Sequence, residues 1–407
     1  MSVVIVGTLD TKGAEIGFAR DVLQAQGVDV YVVDTGVVGE PGIDPDTPAS
    51  DVAEAAGTTL EHLREEADRG EAMTAMGEGA TAIAQRMYDE GDLDGIMGLG
   101  GSGNTSIATT AMRALPVGVP KLMVSTMASG DTEPYVGARD IMMLYSVADI
   151  EGLNQLSRQV IANAALAMVG MVTNEPDVEV EEKPTIGITM FGVTTPCAKT
   201  ARAYLEDRGY ETIVFHATGT GGRAMENLIQ EGIIDGVLDL TTTEWADELV
   251  GGVLNAGPDR LDAAGERGIP QVVSTGALDM VNFGPRESVP EVFEGRQFHV
   301  HNPQVTLMRT TPKENAELGE IIGEKLAAAT GPTALALPLG GVSMLDVEGE
   351  EFHDPEADAA LFDALRESVD ENVDLIELET DINDEAFAER LAETLDDSMR
   401  AAGTAPE

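Results

Sequence analysis

A run of glycines and small polar residues, GGSGNTS from Gly100 to Ser106, stands between an apolar strand pattern and a helical one. Glycine lets the backbone approach a bulky anion, and Gly100, Gly101, Ser102, Gly103, Asn104 and Thr105 together offer amide and hydroxyl donors at a helix start. That chemistry suits phosphate. The stretch lacks the lysine of a Walker A loop and the spacing of a dinucleotide fingerprint, and a tight strand-to-helix turn capped by Asn104 or Thr105 is the plainer alternative. Further upstream, TLDTKG brings Thr8, Asp10, Thr11 and Lys12 to the start of the first helix. The helix dipole disfavours a cation there by a few tenths of a kcal/mol to about 1 kcal/mol, so Lys12 predicts an anion in front of it. Asp10 and Thr11 either hold Mg²⁺ or cap the helix. Asp34, closing the second strand pattern, reads as a ribose acceptor or as a surface carboxylate. A third turn follows a strand at Ser125 to Asp131, with Thr126, Met127, Ala128, Ser129 and Gly130. Three polar turns at equivalent sheet ends predict one nucleotide or phosphate pocket.

The second half uses the same kind of turn with other side chains. HATGTGGRAME supplies His216, Gly219, Gly221, Gly222 and Arg223, and DLTTTEWADE supplies Thr242, Thr243 and Glu244. The glycines, Arg223 and the two threonines fit an anionic substrate group, with His216 and Glu244 as acid and base. The structural alternative is a hydrogen-bonded strand-end histidine and a first-turn carboxylate favoured by the helix dipole. Cys197, the single cysteine, excludes an intrachain disulfide and a cysteine-cluster metal site, and reads as a small buried residue rather than a nucleophile. In FHVHN, strand alternation puts His299 and His301 on one face, but no third ligand lies nearby in sequence, so no metal site is predicted there.

Positioning such turns requires alternating strands and helices. VVIVG, a helix from about Lys12 to Gln26 closed by Gly27, and VDVYVVD form a β-α-β opening; GIMGL, KLMVS and IMMLYSV read as buried parallel strands, separated by helices near Met73–Tyr88, Thr105–Arg113 and Glu151–Val169. NEPDVEVEEKP, Asn174 to Pro184, is the linker candidate. The pattern then restarts. Gly27 and Gly209 match at an offset of 182, Gly36 and Gly219 at 183, Glu90–Leu99 and Glu231–Leu240 at 141, and Gly118 and Gly268 at 150. The drop to 141 implies 42 extra residues in the first half between Gly36 and Glu90. The expectation is two Rossmann-like, doubly wound parallel-sheet α/β domains, 1–178 and 183–407, related by internal duplication and facing a shared cleft. A C-terminal extension adds a helix from Pro312 opened by the capping box TPKE, the strand TALALPL, a helix from Pro355 to Val369, the strand VDLIEL and a last helix from about Asp384 to Arg400.

Composition narrows the class. The chain carries 73 acidic and 24 basic residues for a formal charge of −49, yet its apolar periodicity is that of a folded body, so the charge must lie on the surface. Only six basic residues are lysine, which fits adaptation to a salt-rich medium, where screening cuts the range of self-repulsion to about 3 Å at 1 M. Such a field disfavours nucleic acid and anionic membranes. No signal segment is read, no apolar run approaches the roughly 18 residues of a membrane span, and a cytoplasmic location is expected.

GTLDTKGAE, GGSGNTSIA, PKLMVSTMASGD, MFGVTTPC, FHATGTGGRAME, DLTTTEWADELVGGVLNAGPDRL, GALDMVNFGP and HNPQVTLMRTTPKEN resemble the Tm-1-like ATP-binding family, formerly UPF0261, from about Val3 to Arg390. The resemblance implies two Rossmann-like parts, a homodimer, and ATP with Mg²⁺ held by the turns around Lys12, Gly100–Thr105 and Thr126–Gly130, with Asp10 and Asp131 as candidate ligands of the metal. An ATP-dependent enzyme acting on a small metabolite in the cleft is the leading expectation. A non-catalytic ATP-binding regulatory module, and a sugar-phosphate or dehydrogenase-like enzyme that uses no ATP, are the alternatives.

Overall fold

The structure, a computed structural model, describes residues 1–65, 67–174 and 183–406. It divides into two compact units, Met1–Glu179 and Val180–Glu407. Residues 175–182, most of the expected linker, lie outside the described residues.

In the first unit the sequence pattern becomes β1 (Ser2–Gly7), α1 (Leu9–Ala25), β2 (Asp29–Asp34), α2 (Ala49–Ala55), α3 (Leu60–Glu65), α4 (Arg69–Asp89), β3 (Gly95–Gly100), α5 (Ser102–Arg113), β4 (Lys121–Ser125), α6 (Glu133–Val136), β5 (Met142–Tyr145) and α7 (Gln155–Thr173). The five strands form one parallel sheet in the order β2-β1-β3-β4-β5. Alternate residues of β1 face opposite cores: Val4 and Val6 pack with α4 and α5, Val3 and Ile5 with α1 and α7. β5 departs from the expected buried strand. It is the sheet edge, with Met142 and Tyr145 exposed. Against the expectation that no apolar run approaches the length of a membrane span, α7 is long and apolar enough to cross one by length and composition. One face of it, Ile161, Ala164, Ala165 and Met168, is committed to the core of this unit.

The second unit contains β6 (Thr185–Met190), α8 (Thr195–Glu206), β7 (Glu211–His216), α9 (Thr220–Gln230), β8 (Gly236–Thr241), α10 (Glu244–Val250), α11 (Ala263–Arg267), β9 (Gln271–Gly276), β10 (Met280–Phe283), β11 (Phe298–Asn302), β12 (Val305–Arg309), α12 (Pro312–Ala327), β13 (Thr333–Pro338), α13 (Pro355–Ser368), β14 (Val373–Leu378) and α14 (Glu385–Ala402). Its parallel sheet runs β14-β13-β9-β8-β6-β7. A separate antiparallel sheet, β10-β12-β11, packs Val281, Phe283 and Met308 into the same core as α12 and α13. The TPKE capping box forms as expected, Thr311 accepting from Glu314 N while the Glu314 carboxylate accepts from Thr311 N. Both parallel sheets are thus doubly wound, and the first five strands of each follow the order 2-1-3-4-5. That order is common to many doubly wound sheets and does not itself establish duplication.

Candidate functional site

Beyond the carboxyl ends of β1, β2 and β3, the first unit holds a cavity of about 740 Å³. Three helices begin at its wall. α1 contributes Thr8, Asp10, Thr11 and Lys12; α5 contributes Ser102, Gly103 and Asn104 after Gly101; α4 contributes Arg69, Ala72, Met73 and Met76 after its N-cap Asp68. The N–H groups of Ser102, Gly103 and Asn104 find no acceptor among the described residues, and Gly101 supplies no side-chain cap. Those first-turn donors are the anion-binding end of a helix dipole. Lys12 sits where the helical dihedrals break, at φ −124° and ψ 17°, and is half-buried. Neither Lys12 nor Arg69 makes a salt bridge or hydrogen bond among the described residues, whereas Arg64 donates to the Val37 and Gly39 carbonyls. Met73, Met76, Leu63 and Ile107 give the cavity an apolar side.

Of the expected first-unit residues, Thr8, Asp10, Thr11, Lys12, Gly101, Ser102, Gly103 and Asn104 line this cavity. Others hold it in shape. The Asn104 side-chain amide donates to the Leu99 and Val6 carbonyls, tying β3 to β1, so only its backbone N–H is offered to a ligand. Asp34 is buried and is not a ribose acceptor at the wall: Oδ1 accepts from Leu9 N and Gly36 N, fixing the start of α1 against the exit of β2. Burial pushes its carboxyl up despite those two donors. Thr105 is buried, bonded to Ser125 Oγ and Gly101 O. Gly100 and Thr126 to Gly130 do not line the cavity, although a Cβ at Gly101 would lie 3.8 Å from Thr126 Oγ1.

The reading of Asp10 as a helix cap is corrected by this geometry. Thr8 is the N-cap position, and Asp10 Oδ2 instead accepts from Val38 N and Gly39 N across the loop. Asp10 Oδ1 is buried without a partner, pressed towards Gly36, and Asp131 accepts from Glu133 N away from the cavity wall. The two carboxylates expected to share Mg²⁺ therefore do not line one site.

In the second unit the expected anion-binding loop is already filled from within. Glu244 is fully buried, and its Oε1 accepts from Gly219 N at 2.7 Å and Gly222 N at 3.0 Å. Gly219 adopts φ +84°, and a Cβ at Gly222 would collide with the Glu244 carboxylate. Arg260 closes the arrangement, donating to Glu244 Oε2 at 2.8 Å, to both oxygens of Asp239, and to Glu226. Those acids hold the guanidinium charged although it is wholly buried. Thr242 and Thr243 are also buried, bonded to Ser274 O and Asn282 Nδ2, and Arg223 donates to Asn255 O. A Cβ at Gly221 would collide with the His216 carbonyl. His216 ends β7 exposed, its ring 5.4 Å from that of Phe191. Glu244 thus holds a loop rather than facing a substrate. Cys197 is buried, and burial pushes its thiol up to about 12.

Asp346, His353 and Asp358 bring ligand-type atoms within 4.8 Å of one another, but Arg309 donates to both carboxylates and already supplies the positive charge. Sequence reasoning missed Arg64, Arg69 and the apolar wall of α4. The argument applied to Lys12, a cation at a helix start, applies equally to Arg69 and was the available signal.

The model of the uncharacterised protein family (UPF0261) N-terminal domain matches residues 1–177, and that of its C-terminal domain matches residues 183–399. A UPF0261 protein of Clostridium tetani is 55% identical over 398 residues, 98% of each chain. The ToMV resistance protein Tm-1(GCR237) of Solanum lycopersicum is 42% identical over 414 residues, covering 96% of this chain and 55% of that protein. Among solved structures, the UDP-N-acetylglucosamine 2-epimerase of Rickettsia bellii is 9% identical with a TM-score of 0.23, covering 67% of this chain and 78% of that one.

Proposed function

The chain belongs to the UPF0261 family, and we propose that it binds ATP or a closely related nucleotide polyphosphate in the cavity of its first unit. One observation carries this reading: Lys12 and Arg69, unpaired among the described residues, stand beside first-turn N–H groups of α5 that likewise find no acceptor there, in a chain whose acids outnumber its bases three to one. The volume, about 740 Å³, lies within the roughly 300–1,000 Å³ usual for small-ligand pockets. The polyphosphate faces α1 and α5, and the base lies against Met73, Met76 and Ile107. Mg²⁺, in this reading, arrives on the phosphate oxygens, since Asp10 Oδ2 is engaged by Val38 and Gly39 and its Oδ1 is buried.

Calorimetry of the whole protein with ATP, ADP, AMP, inorganic triphosphate and NAD, in low and molar KCl, tests it. ATP binding that Lys12→Ala weakens about tenfold supports the site. Binding unchanged by both Lys12→Ala and Arg69→Ala, or no binding of any phosphate compound, overturns it. The internal occupation of the Gly219–Gly222 loop by Glu244 favours a nucleotide-binding regulatory module over an enzyme using His216 and Glu244 as acid and base. An ATPase assay with metabolite mixtures separates the two. The proposal extends to a cytoplasmic homodimer in a salt-rich medium, where its charge of −49 is screened. Thermal stability that falls, rather than rises, between 0.1 and about 1 M KCl would contradict that setting.

A further inference from the structure

β11 lies at the edge of its sheet, paired with β12 alone. Two neighbouring side chains seize the same distant residue: Gln297 donates to the Glu351 carbonyl, and His299 Nδ1 lies 2.7 Å from Glu351 Oε2. Phe352 meets the His299 ring edge-on, with centroids 6.3 Å apart. Between Val300 and Asn302 the pairing with β12 shifts register, so His301 stands at an irregular step, its ring centroid 6.2 Å from that of His299. Such irregularities re-aim side chains.

From this geometry we infer that His299 and His301 form a surface site for a borderline transition-metal cation of the Zn²⁺, Ni²⁺ or Cu²⁺ class, with Glu351 as the orienting carboxylate. An ionised carboxylate only accepts hydrogen bonds, so Nδ1 of His299 is the donor to Glu351 and Nε2 is the ring nitrogen left to offer a lone pair to a metal. A carboxylate behind a ligating imidazole fixes the tautomer and raises ligand basicity. His301 is exposed and the His299 side chain is 29% exposed, so both rings are within reach of solvent. Two imidazoles suit this group of metals better than Mg²⁺ or Ca²⁺. The field of the acidic surface concentrates cations near the sheet. The partner that sequence spacing did not show is Glu351, 52 positions away, which orients His299 rather than binding the metal.

Zn²⁺ calorimetry and Cu²⁺ electron paramagnetic resonance on the whole protein test the site. The expected result is one tight equivalent above a background of weak carboxylate binding, with nitrogen hyperfine structure from two imidazoles. His301→Asn and His299→Asn should each abolish the tight equivalent. Glu351→Gln should weaken it about 10–100-fold while both nitrogens remain. Oxygen-only coordination of Cu²⁺, or a tight equivalent that survives the His299→Asn, His301→Asn double variant or disappears in His62→Asn, overturns the inference.

Discussion

Two parallel sheets with the same order of their first five strands treat positive charge in opposite ways. In the first unit, the turn after β3 is Gly101–Ser102–Gly103–Asn104, and its N–H groups, with Lys12 and Arg69, stand open at a cavity. In the second unit, the corresponding turn after β8 is Thr242–Thr243–Glu244, and its carboxylate reaches across to the N–H groups of Gly219 and Gly222. The glycine-rich loop of the second unit, expected to receive an anionic substrate group, holds the protein's own Glu244 carboxylate instead. The first unit also carries an extra stretch, holding α2 and α3, which places Leu63, Arg64 and Ala67 in the cavity wall. Glycines at a helix start announce an anion without saying whether it comes from outside.

The contrast is broken most forcefully at Arg260. Arg260→Met leaves Asp239, Glu244 and Glu226 buried without their cation and should cost the second unit about 3–5 kcal/mol. Trp245, the only tryptophan and buried in that unit, reports this by fluorescence during urea unfolding. A loss under about 1 kcal/mol would show the network to be dispensable.

A pH series sharpens the same difference. Burial pushes the Asp247 carboxyl from 3.8 up to about 7, so between those values the folded protein holds a proton the unfolded chain has released. The contribution of this group is fully present below the unfolded value and is lost as pH rises through about 7, at up to about 1.4 kcal/mol per pH unit. Asp247→Asn should flatten the fall seen with Trp245 between pH 4 and 7. An unchanged slope would mean that other groups set it.

Asn104→Ala should cost the first unit about 1–3 kcal/mol, because the Leu99 and Val6 carbonyls lose their donor, while the Trp245 signal stays put. Smallest in stability, and decisive for the comparison, are Lys12→Ala and Arg69→Ala. Each should weaken polyphosphate binding about tenfold, about 1.4 kcal/mol, yet move unfolding by under about 0.5 kcal/mol, since neither cation has a partner to lose among the described residues. A large destabilisation by either would show its charge to be engaged in the fold.

Local features were legible in the sequence. β1 and β13 are continuous apolar runs, α12 announces itself by its capping box, and the turns at Lys12 and Gly101 needed only their immediate neighbours to be recognised. What escaped depends on distance or brevity. α2 and α3, at seven and six residues, are too short to show a helical period. β10 and β12 pair across an intervening strand, with no tight turn between them to mark the sheet. Arg64 enters the cavity wall from beyond the loop whose carbonyls it binds. The bond from Glu244 to Gly219 spans 25 residues, and nothing local to either distinguishes a carboxylate that serves a loop from one that serves a substrate.

The tether on Glu244 has a kinetic and competitive meaning. A group held by its own backbone beside its receptor acts at an effective concentration of millimolar or more. Free phosphate or nucleotide below that level does not displace it. The second sheet therefore behaves as a receptor saturated from the moment it folds.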